Sequence, residues 1–244
     1  MQVTVTNEMK GRMTKDGSVL KKIRSAGGGA NGCIAGGVTL LIFAVLLGGL
    51  FFALFTPAAG ALFGGLFGIP GLLLVGGGMA MQARKLKNYE NYYERETGYD
   101  RAELKGIERE LLAPDMLLFD NQKQKKGEGK PVFGLCLTKH YLVMPMMLGN
   151  CYVRRLDEMV GAAYSESIPG INGYKYGLVL LSVRDEKEGG VYNAYFTKET
   201  CLEIIQALKG RIPGLITDQA FQYEGKIYNM LVNWKDILAL WQRS

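Results

Sequence analysis

The segment CIAGGVTLLIFAVLLGGLFFALFTPAAGALFGGLFGIPGLLLVGGGMAMQ, residues 33–82, decides the architecture. It lies inside a longer run, Ser25 to Ala83, that contains no charged residue. A soluble domain covers its surface with charged and polar groups, so a run of this length reads as lipid-embedded. At about 1.5 Å per residue, a single helix of that length would far exceed the roughly 30 Å hydrocarbon core, so the chain must reverse once. Thr56-Pro57-Ala58-Ala59-Gly60 supplies the reversal. Pro57 lacks the N–H that a helix interior needs, and Gly60 relaxes the backbone. The expected spans cover residues 33–55 and 61–82. Ala59-Gly60-Ala61 also has the small-residue form of a signal-peptide cleavage site, but the leading arm and the apolar run before it are both long for one.

The basic residues explain the orientation. The first 24 residues carry Lys10, Arg12, Lys15, Lys21, Lys22 and Arg24 against Glu8 and Asp16, and Arg84, Lys85 and Lys87 follow the second span, while the turn between spans is uncharged. By the positive-inside rule both termini face the cytoplasm. Lys21, Lys22, Arg24, Arg84, Lys85 and Lys87 are the expected contacts to anionic lipid head groups, at about 1 kcal/mol each. The net charge of +6 therefore reflects topology and not nucleic acid, since the chain from Arg84 onward holds 23 basic and 21 acidic residues. Gly27 to Gly32 is too rich in glycine to order itself, so residues 1–32 read as a flexible basic arm.

Within the spans, Gly60, Gly64 and Gly68 recur at four-residue spacing, as do Gly32 and Gly36. Such a face lets two helices approach closely in lipid. It serves either packing within the hairpin or self-association into an oligomer or pore. Pro70 is expected to kink the second span. Cys33, Cys136, Cys151 and Cys201 form no CxxC pair and read as reduced thiols; Cys33, at the start of the first span, reads as a buried thiol or a palmitoylation site.

Residues 83–113 read as a juxtamembrane linker and helix. Tyr89, Tyr92, Tyr93 and Tyr99 suit an aromatic interfacial belt. Asp100 and Glu103 have capping-box spacing before Leu104, Ile107 and Leu111, which predicts a helix over residues 101–112 ended by Pro114. Residues 114–244 form the remaining domain. Seven short strands are expected at 116–119, 132–137, 141–144, 151–156, 160–165, 176–183 and 191–196, in an antiparallel meander. Thr197 caps a helix with Leu202, Ile205 and Leu208 on one face, stopped by Gly210 and Pro213. A last helix is expected from Lys226 to Arg243, carrying Ile227, Met230, Leu231, Trp234, Ile237, Leu238 and Trp241. It packs on the chain's own sheet, or docks a partner through Trp234, Ile237 and Trp241.

A sheet of this order closed by a C-terminal amphipathic helix resembles a pleckstrin-homology-like (PH-like) domain. Leu137-Thr138-Lys139-His140-Tyr141-Leu142-Val143 looks like the LT-containing hairpin of bacterial PH-like domains, and Tyr152 to Tyr164, with Asp157 and Val160, resembles their following strand pair. With its two spans, the chain is similar to bacterial membrane proteins that carry a cytoplasmic PH-like domain. The resemblance implies an α+β fold, a multi-pass location in a bacterial plasma membrane, and a binding or scaffold role with no cofactor. Its partners would be the bilayer and a protein, or another copy of the chain. Lys123, Lys125, Lys126 and Lys130 stand where some relatives grip phosphate, although a solvated hairpin tip has the same composition.

No catalytic constellation is legible. The single histidine, His140, falls in a tight turn, and no cluster has zinc spacing. Gly127-Glu128-Gly129-Lys130 lacks the rest of a phosphate-binding loop, and Asp185, Glu186 and Glu188 read as a solvated tip. The expected function is non-enzymatic. Alternatives are a glycine-zipper channel or remodelling protein and, less favoured, a membrane-bound enzyme.

Overall fold

The computed structural model describes residues 12–25, 28–119, 134–146, 150–170, 173–186, 191–193 and 196–242. These divide into two compact units, one running from the N-terminal arm to Lys105 with residues 146–151, the other comprising residues 106–145 and 152–244.

The first unit is helical: α1 (Val19–Ser25), α2 (Gly28–Leu54), α3 (Pro57–Lys87) and α4 (Tyr89–Thr97), followed by the start of α5 (Arg101–Leu111). At 27 and 31 residues, α2 and α3 are long and apolar enough to cross a membrane. Their reversal is tighter than the sequence suggested. Only Phe55 and Thr56 separate them, because Pro57 occupies the first helical turn, where a missing N–H costs nothing, and the Thr56 hydroxyl accepts from the Ala59 N–H at 3.1 Å. Pro70 lies inside an unbroken α3.

Gly60, Gly64 and Gly68 face α2. A Cβ on Gly60 would come within 2.6 Å of Phe52 Cβ and 2.8 Å of the Gly48 carbonyl, while Gly64 lies under Gly48 and Gly68 beside Ala44. Farther along, Gly71 meets Gly37 and Leu41, and Gly78 meets Ala30 and Ile34. On α2 the seam therefore runs Ala30, Ile34, Gly37, Leu41, Ala44, Gly48 and Phe52, at the three-four spacing of a coiled-coil contact. Gly32 and Gly36 do not share it and face open space.

The glycine-rich end of the arm is helical from Gly28 because Ala30 is buried against α3. Nor is the charged stretch before it a loose tether. The α1 residues Val19, Leu20 and Ile23 are buried, and the Tyr93 hydroxyl donates to the Leu20 carbonyl at 3.2 Å. Tyr93 and Tyr99 are thus protein-facing and do not form an interfacial belt. Helix α4 ends at Gly98, whose φ of 70° lets its N–H reach the Glu94 carbonyl, and the Asp100 carboxylate caps α5 by accepting from the Glu103 N–H at 2.8 Å.

In the second unit, β1 (Leu117–Phe119), β2 (Leu135–Leu137), β3 (Tyr141–Pro145) and β4 (Cys151–Arg155) form one sheet in sequential order. Strands β5 (Met159–Gly170), β6 (Gly173–Ser182) and β7 (Val191–Asn193) form a second, antiparallel one. All seven expected strands are present, and among the described residues the sheets do not close into a barrel. Alternation along β6 divides the interior. Leu178 and Leu180 enter a core with the first sheet and with Cys201, Ile204 and Leu208 of α6 (Lys198–Lys209). Val179 and Leu181 enter a second core with Tyr228, Met230, Ile237 and Leu238. Leu202, expected on the inner face of α6, points outward.

The C-terminal segment departs most from expectation. In place of one helix from Lys226 there is a hairpin, β8 (Ala220–Tyr223) and β9 (Lys226–Asn229), then a short α7 (Trp234–Trp241). Glu224 and Gly225 form the two-residue turn with φ of 49° and 76°, the positive values that match the twist of a tight hairpin. Ile227 is consequently exposed, while Tyr228 and Met230 are buried.

Candidate functional site

A cleft lies in the helical unit, where α1, the end of α3 and α4 meet. Its volume is about 410 Å³. Arg24 contributes from α1, Arg84 and Lys85 from α3, and Arg95 from α4, and no carboxylate joins them in the wall. Met81 gives an apolar floor, and Asn88 and Asn91 add amides.

Arg24 is held in place. Its guanidinium lies 3.6 Å from the Tyr92 ring centroid, and its Nη1 donates to the Asn150 side-chain carbonyl at 3.4 Å. The Tyr92 hydroxyl donates to the same oxygen at 2.6 Å. Burial raises the Tyr92 phenol above its ordinary value of 10.0, with Glu96 adding to the rise and Arg24 opposing it, so Tyr92 remains a neutral donor. Stacking on an aromatic face fixes a cation without neutralising it. Of the nearby carboxylates, Glu96 lies 3.3 Å from the cleft residue Arg95, and Glu94 lies 3.5 Å from Arg101 of α5.

Three of the six residues expected at anionic lipid, Arg24, Arg84 and Lys85, are thus brought into one cleft. Lys21 is not among them; it pairs with Asp16 at 2.6 Å, and that hydrogen bond pulls the Asp16 carboxyl down to about 2. Lys22 and Lys87 lie outside the cleft wall. Sequence reasoning did not nominate Arg95, Asn88 or Asn91, and it assigned Tyr92 to the membrane interface. The missed signal was the docking of α1, carried by the buried trio Val19, Leu20 and Ile23.

In the α+β unit the polar clusters hold structure. Glu110 accepts from the Thr138 hydroxyl at 2.7 Å, from the His140 N–H at 2.9 Å and from His140 Nδ1 at 2.6 Å. Burial pushes the Glu110 carboxyl up, but the His140 and Thr138 hydrogen bonds outweigh it and hold the group below its ordinary value. Arg211 donates to the Thr138 carbonyl, closing the cluster. His140 is therefore tied to a helix, while Cys136 is buried in β2, and both Cys136 and Cys201 lie in the protein interior.

Asp185 is not part of a solvated tip. It is 2% exposed and accepts from the Tyr152 hydroxyl at 2.7 Å, the Ser182 N–H at 2.8 Å, and Arg154 Nη2 and Nε at 2.8 and 3.2 Å. Two guanidinium N–H groups on Oδ1 and two further donors on Oδ2 leave both oxygens of this carboxylate engaged. Ile237 is buried, and Trp234 and Trp241 pack on the second core, so much of the stripe nominated for docking covers the chain's own sheet. Lys123, Lys125, Lys126 and Lys130 lie outside the described residues. No protein-family model, curated protein or solved structure matches the chain.

Proposed function

We propose that this chain is a non-enzymatic bacterial plasma-membrane protein in which a two-span hairpin, with both termini cytoplasmic, presents a PH-like domain to a protein partner. The observation that supports the anchor is the apolar surface of the hairpin: only 17% and 11% of the most apolar stretches of α2 and α3 are buried by the rest of the chain. An apolar surface of that extent needs lipid or another chain to cover it. The PH-like assignment is supported by the order of elements, four strands, then three, then a helix whose Cys201, Ile204 and Leu208 fill the core beneath them. Against a glycine-zipper channel stands the use of Gly60, Gly64 and Gly68 inside the hairpin, which removes that face from contact between copies.

Two measurements test the reading on the full-length chain. Alkaline carbonate should leave it in the membrane pellet, and tags at both termini should be cut only when protease reaches the cytoplasmic side. A chain that carbonate releases, or termini on opposite sides, overturns the anchor. For the binding role, photo-crosslinking from exposed positions of the α+β unit in native membranes should give an adduct of discrete mass; no adduct from any face overturns it.

A further inference from the structure

The cleft between α1, α3 and α4 has a shape and charge that the anchoring role does not require. The uncharged run from Pro57 to Ala83 covers 27 residues, or about 40 Å of helix, which exceeds the roughly 30 Å hydrocarbon core and ends in the zone of head groups. Arg84 and Lys85 begin where that run stops, and Met81 continues its apolar surface into the floor. With Arg95 set against Glu96, Arg84 and Lys85 still line a space of about 410 Å³ beside the stacked Arg24. That volume lies in the range of small-ligand sites. Guanidinium groups suit phosphate because their donors match its oxygens in pairs, and Arg24 is already oriented by Tyr92 and Asn150.

We propose that this cleft binds the phosphate group of an anionic phospholipid, with Arg24, Arg84, Lys85 and Arg95 around the phosphate and Met81 against the start of the acyl region. The inference rests on the membrane-spanning reading of α2 and α3, and it replaces diffuse adhesion of basic residues by one site. A lipid is favoured over a free phosphate because the floor is apolar and continuous with the exposed side of α3.

The test uses the full-length chain in vesicles of equal phosphatidylcholine and phosphatidylglycerol, extracted into mild detergent, with retained lipids counted by native mass spectrometry. Phosphatidylglycerol should be retained in preference to phosphatidylcholine. The double variant Arg84→Gln, Lys85→Gln should lower that preference about tenfold, and Lys22→Gln, Lys87→Gln, which removes equal charge outside the cleft, should change it less than about twofold. The charge-keeping pair Arg84→Lys, Lys85→Arg should retain most of the preference. Equal losses from both neutralising pairs, or none from the first, would overturn the site. Displacement of the lipid by inorganic phosphate at about 10 mM would overturn the lipid assignment, because the phosphate alone would then carry the affinity. Failure of the anchor is separately visible: carbonate would release the chain from vesicles of either composition, whereas a failed cleft leaves it embedded without preference.

Discussion

Replacing Asp185 by alanine should be among the most damaging single changes in the α+β unit. The carboxylate is buried and receives four hydrogen bonds, two of them from an Arg154 guanidinium that is itself only 12% exposed. Removal takes the carboxylate away from a buried cation and the Asp185 acceptor away from the Tyr152 hydroxyl and Ser182 N–H. Breaking one side of a buried ion pair costs about 3–5 kcal/mol, whereas an exposed pair is worth about 0–1 kcal/mol. Asp157→Ala, which removes the exposed partner of Arg155 at 3.1 Å, is therefore the matched control.

The chain carries its own reporter for this unit. Its only two tryptophans, Trp234 and Trp241, both pack on the core beneath β5 and β6, so their fluorescence follows unfolding there and not in the hairpin. For a unit of this size 1 kcal/mol corresponds to about 4 °C, so Asp185→Ala should lower the fluorescence midpoint by roughly 15 °C. Asp157→Ala should move it by less than about 4 °C. The double change Arg154→Met, Asp185→Leu should recover only part of the loss, because the hydrogen bonds that Tyr152 and Ser182 made to Asp185 are not restored. Equal midpoints for Asp185→Ala and Asp157→Ala would refute the assignment of Asp185 as a buried anchor.

Gly60→Val places side-chain atoms where Phe52 and the Gly48 carbonyl already sit and should destabilise the hairpin by about 1–3 kcal/mol, seen as lower resistance of the helical circular dichroism to sodium dodecyl sulfate. Gly65→Val, with nothing within 4 Å, should be close to neutral in the same titration. The Glu110 carboxyl is held below its ordinary 4.5, so its stabilisation is complete above that value and is lost as pH falls through the lower folded value. Glu110→Gln should lower the tryptophan midpoint at neutral pH and flatten its fall on acidification; an unchanged acid profile would count against the Glu110–His140 contact. Gly225→Ala, at a φ of 76°, should cost about 1 kcal/mol in the same melt.

What the sequence made legible follows from which signals are local. Absence of charge over Ser25 to Ala83 is a property of the chain itself, and it located both long helices. Strand positions were equally local, since β-branched and aromatic runs alternate with turn residues regardless of what covers them. The C-terminal helix expected from Lys226 is absent because Ile227, Met230, Leu231 and Trp234 fit a helical period by coincidence, while Glu224-Gly225 is a turn signal between Phe221-Gln222-Tyr223 and Ile227-Tyr228. Asp185 failed for a different reason. Hydrophilic composition near Gly189 and Gly190 indicates a turn, but only the partners Tyr152 and Arg154, some thirty residues away, decide that one of its acids is buried.

The basic cleft separates two accounts of the N-terminal charges that the sequence alone treats as one. If Arg24, Arg84 and Lys85 act as independent point charges on anionic lipid, their contribution depends on number and depth, not on mutual placement. If they form a site, it depends on α1 being docked. Leu20, fully buried in the first turn of that helix, distinguishes the two without altering any charge. Leu20→Ala removes packing worth about 2–5 kcal/mol and so should release α1, carrying Arg24 away from Arg84 and Lys85. Phosphatidylglycerol preference should then fall about as far as it does in the Arg84→Gln, Lys85→Gln variant, although the net charge is still +6. Retention of full preference in a Leu20→Ala chain whose amide exchange shows α1 undocked would mean that charge number, not geometry, holds the lipid.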